Sequence, residues 1–471
     1  MLKNSLLRAC LGALLLMAAS ACSHRHHHAA ALPDAGSPAD AGGGFSDFDG
    51  DIPLPRKHDA GTVAPGMPEP GLVGPCAIDS NKTFTAVTTD RPLVQTPMGV
   101  NLESSLFAIP YIGTSNGCLD AVYLTSLAGS PTAPAPASTL AIDDCSLPRS
   151  PVLTSAGGQW LLAFVDNHVP PYDVWVQVYD TKMKKMGAPQ RVSDNPAVET
   201  ATAIATLRDG NVMVAWADQA TDGSGTLHVR PLDATGKPTG PETVIDKWNA
   251  AAGTDPTKNP KLTYGVLTLS DLGADGAAFA YWRFDPAALV RSEIVFVALD
   301  KTGKPVRPEW VLTKNAGPYA AVDVAVNSEG GALVYTQAES GSGRQLWFQQ
   351  ITDTGVAAPL RASAGTVAPV RFLNSPYRGM DVSITKLLAS YAVVYRALPA
   401  ANLTRPQIHL AFLNRVGNLA GDLPVSFTSE SGGKTAVEAA YDGRVVIAWS
   451  ETSDTGASAI KVGRVPCVGG P

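Results

Sequence analysis

Leu232-Asp233-Ala234-Thr235-Gly236-Lys237-Pro238 returns about 67 residues later as Leu299-Asp300-Lys301-Thr302-Gly303-Lys304-Pro305, with weaker copies at Asp353-Thr354-Gly355 and Asn414-Arg415-Val416-Gly417. An Asp or Asn that folds its side chain onto its own backbone, followed by a glycine where φ turns positive, is turn chemistry. Recurrence of such turns every roughly 50 to 65 residues, in units of strands without helix, marks a radial β array.

Upstream of each turn lies an apolar run ending in an aromatic: Leu162-Ala163-Phe164, Val214-Ala215-Trp216, Phe279-Ala280-Tyr281, Leu333-Val334-Tyr335, Val393-Val394-Tyr395 and Ile447-Ala448-Trp449. Tight turns at Asp209-Gly210, Gly330-Gly331 and Asp442-Gly443 precede several of them, as first hairpins require. Third strands such as Leu227 to Leu232 and Ile294 to Leu299 follow, then a short fourth such as Glu242 to Ile245. Near-continuous apolar runs point to burial on both faces, as between propeller blades.

Units run from about Pro92 to Asp144, through five more to Ser429, and then from Lys434 to Val465, where one strand is lacking. The spare segment Thr83 to Thr88 can supply it and close the ring, removing open sheet edges. The expectation is an all-β, seven-bladed β-propeller of four-stranded antiparallel blades. Four cysteines of the main body allow three pairings. Cys76 precedes the spare strand and Cys467 follows the last one, so these two are expected to pair, leaving Cys118 with Cys145. Disulfides imply an oxidising compartment.

Lys3 and Arg8 precede an apolar run, Leu11 to Ala21, too short to span a bilayer. Residues 1–21 therefore read as a signal peptide, and residues 22–75, rich in Ala, Pro, Gly and Asp, as a disordered tether that buries too little to offset its ordering entropy. The propeller is expected over residues 76–471. The chain has 45% hydrophobic and 17% charged residues and a net charge of −6, with no basic run in its main body, which argues against nucleic acid as a partner.

Two residues beyond the aromatic caps stand Asp166, Asp218, Arg283, Gln337 and Glu451, with Arg396 beside the corresponding Ala397. Ring symmetry puts them at one end of the disc, as a polar ring able to grip a ligand. Gly113-Thr114-Ser115-Asn116-Gly117 fits Gly-x-Ser-x-Gly, but the next residues read as a strand where a nucleophile elbow needs a helix. His168, His228 and His409 are far apart in sequence, so no Ser-His-Asp group or zinc site is expected. His24, His26, His27 and His28 are candidate transition-metal ligands but also a simple basic patch beside a membrane. No catalytic residue and no cofactor is assigned.

Ala19-Ser20-Ala21-Cys22 resembles the lipobox of bacterial lipoproteins, which implies acylation of Cys22; by the same resemblance, Ser23 favours the outer membrane. The whole chain resembles bacterial surface lipoproteins that carry a β-propeller on a low-complexity tether. The resemblance implies an extracytoplasmic, monomeric protein held to the membrane by lipid. The expected function is a non-catalytic module binding an envelope protein or a glycan; the alternatives are an envelope assembly component and a carbohydrate-active enzyme. The Ser-x-Asp-x-Gly-x-Thr-Trp repeat of sialidases is not matched: Ser453-Asp454-Thr455-Gly456 lacks its spacing and tryptophan.

Overall fold

Asp233 Oδ1 accepts hydrogen bonds from the Thr235 amide (2.8 Å), the Thr235 hydroxyl (2.6 Å) and the Lys237 amide (3.0 Å). Asp300 repeats the set with Thr302 and Lys304 at 2.7–2.9 Å. Gly236 and Gly303 adopt φ of 79° and 84°, the left-handed conformation that the turn demands. A copy that sequence reading missed lies at Asp180, which accepts from the Lys182 and Lys184 amides; there Met183 takes the glycine's place at φ 62°.

A computed structural model describes the backbone of the strands between Thr83 and Val465 and, with gaps at several loops, the side chains of residues 106–112 and 150–465. The strands are β1 (Thr83–Thr89), β2 (Gly99–Asn101), β3 (Leu106–Ser115), β4 (Cys118–Ala128), β5 (Ser138–Ile142), β6 (Arg149–Ala156), β7 (Gln159–Asp166), β8 (Asp173–Tyr179), β9 (Gln190–Arg191), β10 (Val198–Thr206), β11 (Val212–Gln219), β12 (Gly225–Leu232), β13 (Thr243–Lys247) and β14 (Thr263–Asp271). They continue as β15 (Gly276–Asp285), β16 (Ala288–Asp300), β17 (Trp310–Lys314), β18 (Val322–Asn327), β19 (Gly330–Ala338), β20 (Arg344–Ile351), β21 (Val370–Arg371), β22 (Tyr377–Lys386), β23 (Ser390–Pro399), β24 (Gln407–Asn414), β25 (Leu419–Pro424), β26 (Ser431–Ala439), β27 (Val445–Thr452) and β28 (Ser458–Val465).

Six consecutive sets of four, from β2–β5 to β22–β25, form antiparallel sheets in chain order, and the last sheet runs β1-β28-β27-β26. The protein is an all-β propeller of four-stranded antiparallel blades. The spare amino-terminal strand does complete the last sheet: β1 pairs with β28 from Thr83↔Gly463 to Thr89↔Ser458.

The seven-bladed count needs correcting. The strands group as seven four-stranded sheets, but only six have an inner strand of blade length, with six to ten residues in β6, β10, β14, β18, β22 and β26. The β2 strand of the first sheet has three residues. Among the described residues, an apolar core lies between each successive pair of sheets, that between the first and second included. Three residues of period-2 backbone cannot present the row of inward side chains that a full inner strand brings to its neighbour. The chain thus has six full blades and one abbreviated sheet at the seam.

Two-sided burial is visible in β7. Trp160, Leu162 and Phe164 face the first sheet, while Leu161, Ala163 and Val165 pack with Val212, Val214 and Trp216 of the third. Each large side chain so buried contributes about 1.5–3 kcal/mol. The turn glycines reach backwards onto the preceding sheet: a Cβ on Gly236 would meet Val176 of β8 at 3.1 Å, and one on Gly303 would meet Val229 of β12 at 3.0 Å. The repeated motif is therefore a joint between sheets as well as a turn.

The expected signal peptide, Cys22, the tether and the histidines at positions 24 to 28 lie outside the described residues, as do His168, Cys76, Cys145 and Cys467. Cys118 opens β4, with its side chain undescribed, and no disulfide is found among the described residues. Ser115 of the Gly-x-Ser-x-Gly match ends β3 and pairs with Cys118 of β4, a strand-to-strand connection with no helix.

Candidate functional site

Two polar constellations stand out, one where second strands end and one along the inner strands. At the first, Asp218 is 6% exposed and accepts from the Thr226 amide (3.0 Å). Its other oxygen meets His228 Nε2 at 2.8 Å, and His228 Nδ1 meets Glu242 at 2.6 Å. The imidazole stacks on Trp216, its cross-strand neighbour, with centroids 5.3 Å apart. Burial disfavours the imidazolium, but hydrogen bonds to Asp218 and Glu242 outweigh that and raise His228 to about 9.

Arg283 is held harder still. Its guanidinium contacts Asp246 at 2.9 Å, Glu293 at 2.7 Å and Glu309 at 2.8 Å, and the Tyr281 hydroxyl donates to Glu309 at 3.1 Å. Asp246 comes from β13 of the preceding sheet, so the cage staples neighbours. Glu451, 2% exposed, accepts from Trp449 Nε1 at 2.7 Å. Asp166 lies opposite Asp173, and Gln337 opposite Gln345, both partly buried. Arg396 lies opposite Asp381, whose carboxylate accepts from the Thr435 amide in the next sheet at 2.9 Å. The five expected ring residues thus occupy corresponding strand ends, and Asp218, Arg283 and Glu451 are spent on contacts within or between sheets.

Aligning third strands would have exposed a feature that aligning second strands missed. His409 stacks on Tyr395 as His228 does on Trp216, and Asp422 accepts from the Tyr395 hydroxyl at 2.8 Å while meeting His409 Nδ1 at 3.2 Å.

The second constellation was also missed, although each member interrupts an apolar inner strand, as in Val322-Asp323-Val324 and Val437-Glu438-Ala439. Asp323 of β18 ties three sheets together. Its Oδ1 accepts from the Thr268 hydroxyl (2.5 Å) and the Val324 amide (2.9 Å), and its Oδ2 accepts from the Ser383 hydroxyl (2.8 Å) and the Ile384 amide (2.9 Å). Burial nevertheless raises its pKa. Glu438 of β26 is pushed up to about 8, first by burial and then by Asp323. At the ends of the inner strands, Arg208 contacts Asp271 through its backbone amide (3.0 Å) and, loosely, its guanidinium (3.9 Å). Lys386, exposed at the end of β22, interacts electrostatically with Asp271, Arg208 and Glu438.

No family model and no curated protein sequence matches the chain. Among solved structures it is similar to a protein of unknown function from Dyadobacter fermentans (13% identity, 68% of this chain and 94% of that one, TM-score 0.43). A NanB sialidase variant from Streptococcus pneumoniae gives 8% identity, 81% and 70% coverage and a TM-score of 0.43. The endosialidase of phage phi92 gives 9%, 82% and 69%, and 0.44. The propeller assignment rests on the sheets themselves.

Among the described residues, no group of three or more His, Cys, Asp or Glu is arranged to hold a metal ion.

Proposed function

We propose that the protein is a non-catalytic binding module, carried outside the cytoplasm on a lipid at Cys22, whose propeller recognises an envelope protein or a glycan through one end of its sheets. The observation that carries the non-catalytic reading is the filling of Asp323. Glycoside hydrolysis uses two carboxyls across a cleft, one to protonate the leaving group and one to attack or to activate water. Glu438, held protonated at neutral pH, suits the first task. Asp323 does not suit the second, because hydroxyls and amides from β14, β18 and β22 already occupy both of its oxygens.

The anchoring half of the reading rests on the apolar run Leu11 to Ala21 and on Ala19-Ser20-Ala21-Cys22. Full-length protein in detergent, and a Cys22→Ala form, are to be offered solubilised envelope proteins and a glycan panel. Retention without turnover is expected from both. Sustained hydrolysis of any glycoside would replace the binding reading by the enzymatic one, and a mature terminus other than acylated Cys22 would remove the lipid.

A further inference from the structure

Lys184, Lys237 and Lys304 hold one position in three successive sheets. Each is the residue whose amide closes the turn after a third strand, donating to Asp180, Asp233 or Asp300 at 2.9–3.0 Å. The turn itself does not require lysine there. In the sixth sheet Asn418 closes the corresponding turn with its own amide, which donates to Asn414 Oδ1 at 2.8 Å. Since the backbone does the closing, the side chain at that position is left for another task. Lys182, Lys185 and Lys301 flank the three, and all six lysines are exposed. The third strands β8, β12 and β16 run in one direction, so these turns share one end of the propeller, opposite the end that carries Asp218 and Arg283.

The two ends treat charge differently. Arg283 is enclosed by three carboxylates, whereas among the described residues none of the six lysines enters an ion pair. In the turns it is the anions that are occupied: Asp180 Oδ1 accepts from two amides, and Asp233 and Asp300 Oδ1 each accept from two amides and a hydroxyl. Asp271, in a hairpin at the same end, meets Arg208. The close approach of Gly236 to Val176 and of Gly303 to Val229 seats two of the turns on the sheet before them, which fixes the order and direction of the lysines around the rim.

We propose that this arc of lysines across the second, third and fourth sheets binds an acidic glycan, a polymer that bears uronate, sulfate or phosphate at regular intervals. Unpaired cations gathered on one sector repel one another until a polyanion lies over them and releases its own counter-ions. An ammonium is a compact point charge suited to such repeated contacts, where a single bidentate site would use arginine. One cation repeated from sheet to sheet matches a ligand whose charge also repeats. A membrane would meet the whole end of the propeller, yet the corresponding residue of the sixth sheet is Asn418, which favours a polymer strand crossing one sector. The chain as a whole is acidic, at −6, so the arc also decides where on the molecule such a strand settles. The inference rests on the binding reading and names its ligand class and its surface. It can fail separately, because a neutral glycan or a protein could be bound elsewhere.

The test is titration of the full chain with polygalacturonate, dextran sulfate, a phosphate-bearing teichoic acid and neutral dextran, over a range of sodium chloride concentrations. Saturable binding of at least one acidic polymer and none of neutral dextran is expected, and preference among the three distinguishes uronate from sulfate and phosphate. Lys184→Gln, Lys237→Gln and Lys304→Gln together should weaken it by about tenfold or more, equivalent to ~1.4 kcal/mol, and make its salt dependence shallower. Arginine at the same three positions should retain it. Because only the backbone of these residues closes the turns, both triple variants should keep the wild-type melting temperature. Lys247→Gln with Lys314→Gln, exposed lysines at the opposite end, should leave affinity unchanged. Equal affinity in wild type and the triple glutamine variant, or no saturable binding of any acidic polymer, overturns the proposal. So does tighter binding to single-stranded DNA or to vesicles of phosphatidylglycerol and phosphatidylcholine. Capture of a neutral glycan or an envelope protein that the triple variant leaves intact would sink this surface and leave the binding module standing.

Discussion

Gly417, in the turn between β24 and β25, lies so near Phe348 of the preceding sheet that a β-carbon there would stand 2.3 Å from the ring. Its φ of 86° is itself a conformation that side chains resist. Gly417→Ala should therefore add backbone strain and a steric clash together, a destabilisation of about 2–5 kcal/mol in all. Gly210→Ala, at φ 85° with nothing within 4 Å, isolates the backbone part and should cost roughly 1–2 kcal/mol. Urea unfolding of the two variants measures the difference; equal losses would refute the backward contact.

His228 provides a pH signature. Its folded value of about 9 exceeds the ordinary 6.5, so the folded state holds an extra proton between those limits. That contribution is complete below pH 6.5 and disappears as pH rises through 9. Glu199, 2% exposed and raised to about 8 chiefly by burial, acts in the same direction from about pH 4.5 upward. Melting temperature should fall between pH 6.5 and 9. His228→Gln should flatten that fall, with the wild-type difference on the order of 1–3 kcal/mol.

Replacing Asp323 by asparagine keeps its size but turns one acceptor into a donor facing hydrogen-bond donors. Asp323→Asn should destabilise by roughly 2–4 kcal/mol, because hydroxyls or amides from β18, β14 or β22 lose their acceptor in a closed space. Ser383→Ala, which removes one donor and leaves the carboxylate three, should cost about 0.5–1.5 kcal/mol. Chemical denaturation checks the ranking.

Arg283→Lys leaves Asp246, Glu293 and Glu309 around a single ammonium that cannot match the fork. A loss of about 1–3 kcal/mol is expected, since the ammonium keeps the charge but cannot replace the forked hydrogen bonds that the guanidinium makes to three carboxylates. Differential scanning calorimetry at low and high salt should show that high salt restores little of it.

Much of the architecture was legible in local chemistry. The Asp-x-Thr-Gly turn, the hairpin glycines and the aromatic-capped runs each report on a few neighbouring residues, so they survive translation into a linear string. The brevity of β2 was not legible, because nothing local says how many residues a strand will find partners for. The ring residues Asp218 and Arg283 were located by register, but their surroundings depend on Glu242, just before β13 and bound to the His228 that holds Asp218, and on Asp246 within β13, 24 and 37 positions away in sequence. Asp323 and Glu438 interrupt apolar strands, and the partners of Asp323 come from two other sheets, at separations in sequence that no local pattern records.

The pairing of β1 with β28 joins residues separated by about 380 positions of chain. The first strand to leave a ribosome or a translocation pore is thus among the last to find its partner, and at synthesis rates of 5–20 residues per second it waits on the order of 20–80 s. Throughout that interval the nascent chain carries an unclaimed β-segment, able to be captured by a holding chaperone or by the same segment of another copy. Quality control of this protein is therefore a contest at its beginning, decided only when its end appears.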